Sequence, residues 1–154
     1  MKHYIKIFIW ISLFIISIIP MIANYFYSYQ LNHFTCWSKA YIHKGDATYH
    51  VLFKYTFNGG DGVVSSVGQY TEPNVNNIRI TQNPPFTYYN NSNEFLMLSK
   101  STKLTESDAK LLDPILPDFY IYEDRGFQIS IFKEGDNGLI FSQDDLPIFI
   151  CNKQ

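Results

Sequence analysis

The sequence predicts a mainly β protein: an N-terminal transmembrane helix followed by one antiparallel β-barrel or sandwich domain with one short helix. Three observations carry this expectation. An apolar run opens the chain, with Lys2 and Lys6 at its head and no further charge until Lys39. Apolar residues then recur with a period of two in short segments separated by Gly-, Asn- and Pro-rich turns. A single segment, beginning at Thr105, carries helix-start signals.

The apolar run Ile7–Ala23 is 17 residues long. As a helix it spans roughly 25 Å, the short limit for a bilayer core. Tyr4, Ile5 and the stem of Lys6 extend it, and Tyr25, Phe26, Tyr27 and Tyr29 read as an interfacial aromatic belt. Lysines on the N-terminal side predict a cytoplasmic N-terminus and a translocated remainder. The competing reading is a cleaved signal peptide. It is weaker because Met21-Ile22-Ala23 puts a bulky residue where a small one is needed before the cut. The expected division is therefore 1–35, cytoplasmic tip, anchor and aromatic juxtamembrane segment, and 36–154, a periplasmic β-domain. In a bacterium this places the chain in the inner membrane as a single-pass protein.

Ala47–Phe57 alternates cleanly. Tyr49, Val51, Phe53, Tyr55 and Phe57 share one face, as a half-buried antiparallel strand requires. Asn58–Gly62 is a glycine-rich hairpin turn, and Val63–Tyr70 is the return strand, weakened by Gly68. Asn77–Gln82 is a short strand stopped by Asn83-Pro84-Pro85. Phe95–Lys103 follows the polar turn Asn90–Asn93. Thr105 caps the single helix, with acidic residues in its first turn and Pro114 ending it near Leu112. Phe127–Lys133 places Phe127, Ile129 and Ile131 on one face, and Leu139–Ser142 and Ile148–Asn152 complete the set. Seven to nine short strands suit a sandwich or a small barrel. Eight strands close around side chains or around one small apolar ligand. The apolar face of Tyr49, Val51, Phe53, Tyr55, Phe57, Phe127, Ile129 and Ile131 is thus a candidate ligand face, with plain core as the alternative.

Residues 36–154 are enough for one domain and too few for two. All 14 acidic residues lie beyond residue 35, whereas Lys2 and Lys6 take two of the 12 basic ones. The translocated part is therefore mildly acidic with scattered cations, which argues against nucleic acid. The two cysteines, Cys36 and Cys151, stand near the two ends of that part. In an oxidising compartment an even count favours a disulfide joining them, against two buried free thiols.

Catalytic signatures are not found, so no enzyme activity, cofactor or metal is expected. His43, Asp46 and His50 are the nearest approach to a metal set, but their spacing crosses a turn and matches no common ligand pattern. No serine stands in a glycine-flanked elbow. Asp144-Asp145 and Glu123-Asp124 are adjacent pairs, which on a strand point to opposite faces. No glycine-rich loop joins a strand to a helix.

Several of these features occur together elsewhere. A short tip with Lys2 and Lys6 precedes one apolar span and an early cysteine, Cys36. A Tyr49–Phe57 hairpin with a glycine turn follows, and the C-terminus closes as Leu146-Pro147-Ile148-Phe149-Ile150-Cys151. This layout resembles the FidL-like family of small enterobacterial membrane proteins, over most of the chain, and is similar to that of ToxS and VtrC. The resemblance implies a companion that binds and stabilises the sensor domain of a ToxR-like transmembrane regulator as a heterodimer. It also implies a lipocalin-like barrel that can hold a bile salt or another apolar small molecule. The alternative is a stand-alone periplasmic lipid- or bile-binding barrel with no regulatory partner.

Overall fold

The computed structural model describes residues 2–73, 75–101 and 104–153. The chain forms two units, Met1–Asn32 and His33–Gln154. The first is one helix, α1 (Lys2–Asn32), of 31 residues. Within it Trp10–Asn32 is long and apolar enough to cross a membrane. Its large apolar side chains, among them Trp10, Phe14, Ile16 and Met21, are exposed. The helix continues through the aromatic cluster Tyr25–Tyr29, so these rings are carried on the helix itself. The side chain of Lys2 lies outside the described residues, as do Thr102 and Lys103 at the end of the expected Phe95–Lys103 strand.

The second unit is an antiparallel barrel. Its strands are β1 (His33–Lys44), β2 (Ala47–Asn58), β3 (Asp61–Glu72), β4 (Val75–Gln82), β5 (Pro85–Asn91), β6 (Glu94–Ser99), β7 (Gly126–Glu134), β8 (Gly138–Gln143) and β9 (Leu146–Lys153). Eight of them follow one another around a ring in the order β2-β1-β9-β8-β7-β6-β5-β3, and β3 pairs back onto β2. β4 is the extra strand. The second edge of β3 is shared: Asp61–Val63 pairs with β5, and Ser66–Glu72 pairs with β4. Asn83 and Pro84 divide what would otherwise be one strand along this edge, and the Val64 amide donates to the Pro84 carbonyl at 3.0 Å.

Two strands were absent from the sequence expectation. β1 lacks clean alternation, because Trp37 and Tyr41 stand on its outer face while Ser38 and Ala40 face inward. β5 begins at a proline directly after the Pro84 stop signal. The helix α2 (Glu106–Leu112) forms as its start signals require, and the Asp108 amide donates to Thr105 Oγ1 at 3.2 Å. Its residue Leu112 is fully buried. A 3₁₀ turn at Asp118–Tyr120 follows and buries Phe119 and Tyr120.

Aromatic rings fill one end of the barrel. Phe57 contacts Phe34, Phe86, Tyr88 and Phe95 at centroid distances of 4.6 to 5.5 Å. Such pairs add directional attraction to apolar burial. Gly68, which weakens β3 on propensity grounds, has a packing reason to be glycine: a Cβ there would fall against the ring and hydroxyl of Tyr49. At the β2–β3 hairpin, Gly59 and Gly60 take φ of +60° and +104°, a region open to glycine at little cost.

Cys36 and Cys151 form a disulfide with Cα atoms 5.4 Å apart, across a sequence separation of 115. Tying a loop of that length removes entropy from the unfolded chain on the order of 4–5 kcal/mol. Adding reductant should lower the denaturant midpoint of the barrel by a loss of this order. A change below about 1 kcal/mol would show that the strand ring holds without the bond.

Candidate ligand cavity at the barrel seam

The ring is joined by few pairs at two places, three at β3–β5 and two at β1–β9. β1 pairs with β2 along its whole length, from His33–Asn58 to Lys44–Ala47. With β9 it pairs only at Cys36–Lys153 and Trp37–Asn152. Continuing that register would set Lys39 opposite Ile150, Tyr41 opposite Ile148 and Ile42 opposite Pro147. These positions are not paired. Pro147 has no N–H to offer β1. Leu116, Pro117 and Tyr120, from the segment after α2, line the space at the seam. The two strands therefore diverge just beyond the disulfide.

A cavity of about 490 Å³ occupies the gap. One wall is Lys39–Ile42 of β1 and the other is Ile148–Ile150 of β9. Phe53 and Phe127, from the barrel interior, also line it. Apart from the tyrosine hydroxyls, polar side chains enter the lining only as Lys39 and Gln143. At the mouth, Tyr41, Ile148 and Ile150 are 65%, 46% and 54% exposed, so the entrance is apolar as well as the interior. A concave apolar site with few polar groups is the usual form of a small-molecule pocket.

Beside the cavity the Tyr55 and Tyr120 hydroxyls hydrogen-bond at 2.8 Å, both buried. The Tyr120 ring lies tilted 5.3 Å from Phe53 and edge-on 5.8 Å from Phe127, so it ties the post-α2 segment to the barrel wall. Burial pushes the Tyr120 hydroxyl up to about 12, and burial with the Tyr120 neighbour pushes Tyr55 well above its ordinary value. Tyr49 also rises to about 12, through burial first and the Asp108 carboxylate second.

All eight residues of the expected ligand face are buried in the barrel. Of these, Phe53 and Phe127 reach the cavity, while Tyr49, Val51, Tyr55, Phe57, Ile129 and Ile131 are not part of its lining. The sequence reading missed the β1 and β9 walls and the Leu116–Tyr120 floor. A signal existed for β9: Leu146, Ile148 and Ile150 are apolar on the face opposite Phe149 and Cys151, which an ordinary solvent-facing strand avoids. Of the metal candidates, His43 Nδ1 is 3.0 Å from Thr48 Oγ1, and its ring is 6.5 Å from that of His50. Among the described residues no three His, Cys, Asp or Glu side chains gather around a metal-sized space.

The YqeJ C-terminal domain family matches this chain over residues 33–151. The chain belongs to that family. The match starts at the first residue of β1 and ends on Cys151, so it covers the barrel together with both cysteines of its disulfide. The whole chain is also 24% identical, over 156 residues, to a protein of Escherichia coli strain K12 described as "Uncharacterized protein YqeJ". That alignment covers 97% of this chain and 96% of the relative, and so includes the N-terminal helix as well as the YqeJ C-terminal domain. No solved structure matches.

The buried tyrosines give the barrel an alkaline limit. In the unfolded chain a tyrosine ionises near 10; in the fold burial raises Tyr49 and Tyr120 to about 12 and holds Tyr55 well above its ordinary value. Their contribution is fully present below pH 10 and is lost as pH rises from 10 through 12. Thermal unfolding midpoints followed from pH 8 to 12 should be insensitive to these groups up to about pH 10 and fall above it. In a Tyr120→Phe variant that fall should be shallower.

Proposed function

We propose that the protein is a membrane-anchored, extracytoplasmic companion of a signalling partner, and that its barrel holds an apolar small molecule at the open β1–β9 seam. The observation that carries this reading is the seam itself: two strands left unpaired directly over a roughly 490 Å³ apolar cavity. α1 supplies the anchor, with the N-terminus cytoplasmic and the barrel in the periplasm. The resemblance to FidL-like proteins supports a ToxR-like regulator as the partner and a bile salt as one candidate ligand. Strand edges support a protein partner independently. Among the described residues, the outer edge of β4 carries no strand pairing, and the seam edges of β1 and β9 carry none beyond Cys36–Lys153 and Trp37–Asn152. Such edges accept a partner's strand. Sharing one membrane raises the effective concentration of the two proteins for each other.

One observation favours a second reading. Eight strands close into a ring within a single chain, so the barrel does not need a partner's strand to be complete. That supports a stand-alone lipid- or bile-binding barrel.

The two readings separate on the full-length protein. Extracted from membranes in mild detergent, a companion should co-purify with a ToxR-like regulator expressed beside it, and a stand-alone barrel should elute as a lone monomer. Ligand use is tested by Ala40→Trp, which places an indole in the cavity wall. The variant should keep its disulfide and its unfolding midpoint to within about 1–3 kcal/mol while losing most of its affinity for a bile-salt probe. Unchanged affinity would remove the cavity from the reading.

A further inference from the structure

The barrel interior holds a row of polar side chains that no protein group satisfies. Ser38 on β1 is opposite Phe53, Phe53 is opposite Ser66 on β3, and Ser66 is opposite Gln82 on β4. The three polar residues thus share one level of the barrel. They are 2%, 1% and 4% exposed. Among the described residues, the Ser38 and Ser66 hydroxyls and both amide atoms of Gln82 have no hydrogen-bond partner. Buried polar groups are ordinarily paired, and leaving one dry is costly, so three on one level indicate a missing counterpart.

None of the three lines the seam cavity itself, but the row approaches it at Ser38 and Phe53. Ser38 lies between Ala40, two residues on along the same strand face, and Phe53 directly across the ladder, and both of these line the cavity. The row contains no charged residue. Its inventory is two hydroxyls, each donor and acceptor, and one amide with two donors and an acceptor oxygen. Such a set suits a neutral group that both gives and accepts hydrogen bonds. A carboxylate or ammonium there would be buried without a counter-ion. The one cationic side chain in the cavity lining, Lys39, is exposed on the strand's outer face, away from the row.

We propose that Ser38, Ser66 and Gln82 receive the neutral hydrogen-bonding end, a hydroxyl or amide, of an amphipathic guest whose apolar body fills the seam cavity. This rests on the reading of that cavity as a ligand site. Phe53 belongs both to the row and to the cavity lining, so the guest's polar end reaches the row alongside its ring.

The test compares two probes of one shape, 2-naphthol and 2-methylnaphthalene. Both are titrated against the full-length protein in amphipol, with empty amphipol as the blank. Ser38→Ala and Gln82→Met keep side-chain volume near the original, and an unfolding midpoint at or above that of the wild type certifies their fold. The expected result is that at least one of the two variants binds 2-naphthol about five- to tenfold more weakly, the worth of one hydrogen bond, with 2-methylnaphthalene unchanged or tighter. If both variants bind 2-naphthol as the wild type does, the row holds ordered water only; the proposal fails and the cavity reading stands. If neither probe binds the wild type, the cavity reading fails and takes the proposal with it.

Discussion

Closure of the strand ring depends on a short contact between β1 and β9. Two paired positions join them, and the Cys36–Cys151 bond lies beside those pairs. The β3–β5 joint has three pairs, and the other joints of the ring are longer, such as the eleven rungs from Thr48–Thr71 to Asn58–Asp61 between β2 and β3. The disulfide therefore acts at the one joint where backbone pairing is thinnest. It also joins the first strand to the last, which brings the two ends of the domain to one place on the ring.

That constraint sets how the interior is filled. At the end built around Phe57, rings from four strands meet, and the core there is solid. Around Phe53 the pattern changes. Its cross-strand neighbours are serines, and Ala40 beyond them is small. Small and polar residues do not fill a barrel of this circumference, so space is left over. The segment after α2 occupies part of it with Leu116, Phe119 and Tyr120. What remains is continuous with the unpaired seam. The split edge and the cavity thus meet along β1 at the small residue Ala40.

The fold was legible where residues alternate cleanly and turns are marked. β2 reads without ambiguity because every second residue from Tyr49 to Phe57 is large and apolar. The helix at Glu106–Leu112 was readable from Thr105 and its acidic first turn. The long sequence separation of Cys36 and Cys151 pointed to a bond that ties the domain's ends. β1 was not legible, since its inner face carries Ser38 and Ala40 and its outer face Trp37 and Tyr41, which inverts the usual contrast. Two of the residues that broke the pattern, Ala40 and Tyr41, line the cavity. Alternation reports a filled core, and a ligand chamber is the place where that report fails. The expected ligand face accordingly marked mostly core, with Phe53 and Phe127 at the cavity's border.

The seam is stapled at one end only. Beyond Trp37, separating β1 from β9 breaks no ladder pair, because none is formed there. The disulfide fixes where the strands meet and leaves the angle between them to whatever fills the gap. A guest that binds the open arrangement better than the zipped one shifts the balance by its difference in affinity for the two, and by nothing more. The edges of β1 and β9 are what a protein partner would meet from outside, and the cavity is what a guest would meet from within. One pair of strands therefore faces both kinds of ligand. Under the proposed reading, occupancy inside the barrel and pairing at its edge would be linked equilibria, each altering the affinity of the other by the same factor.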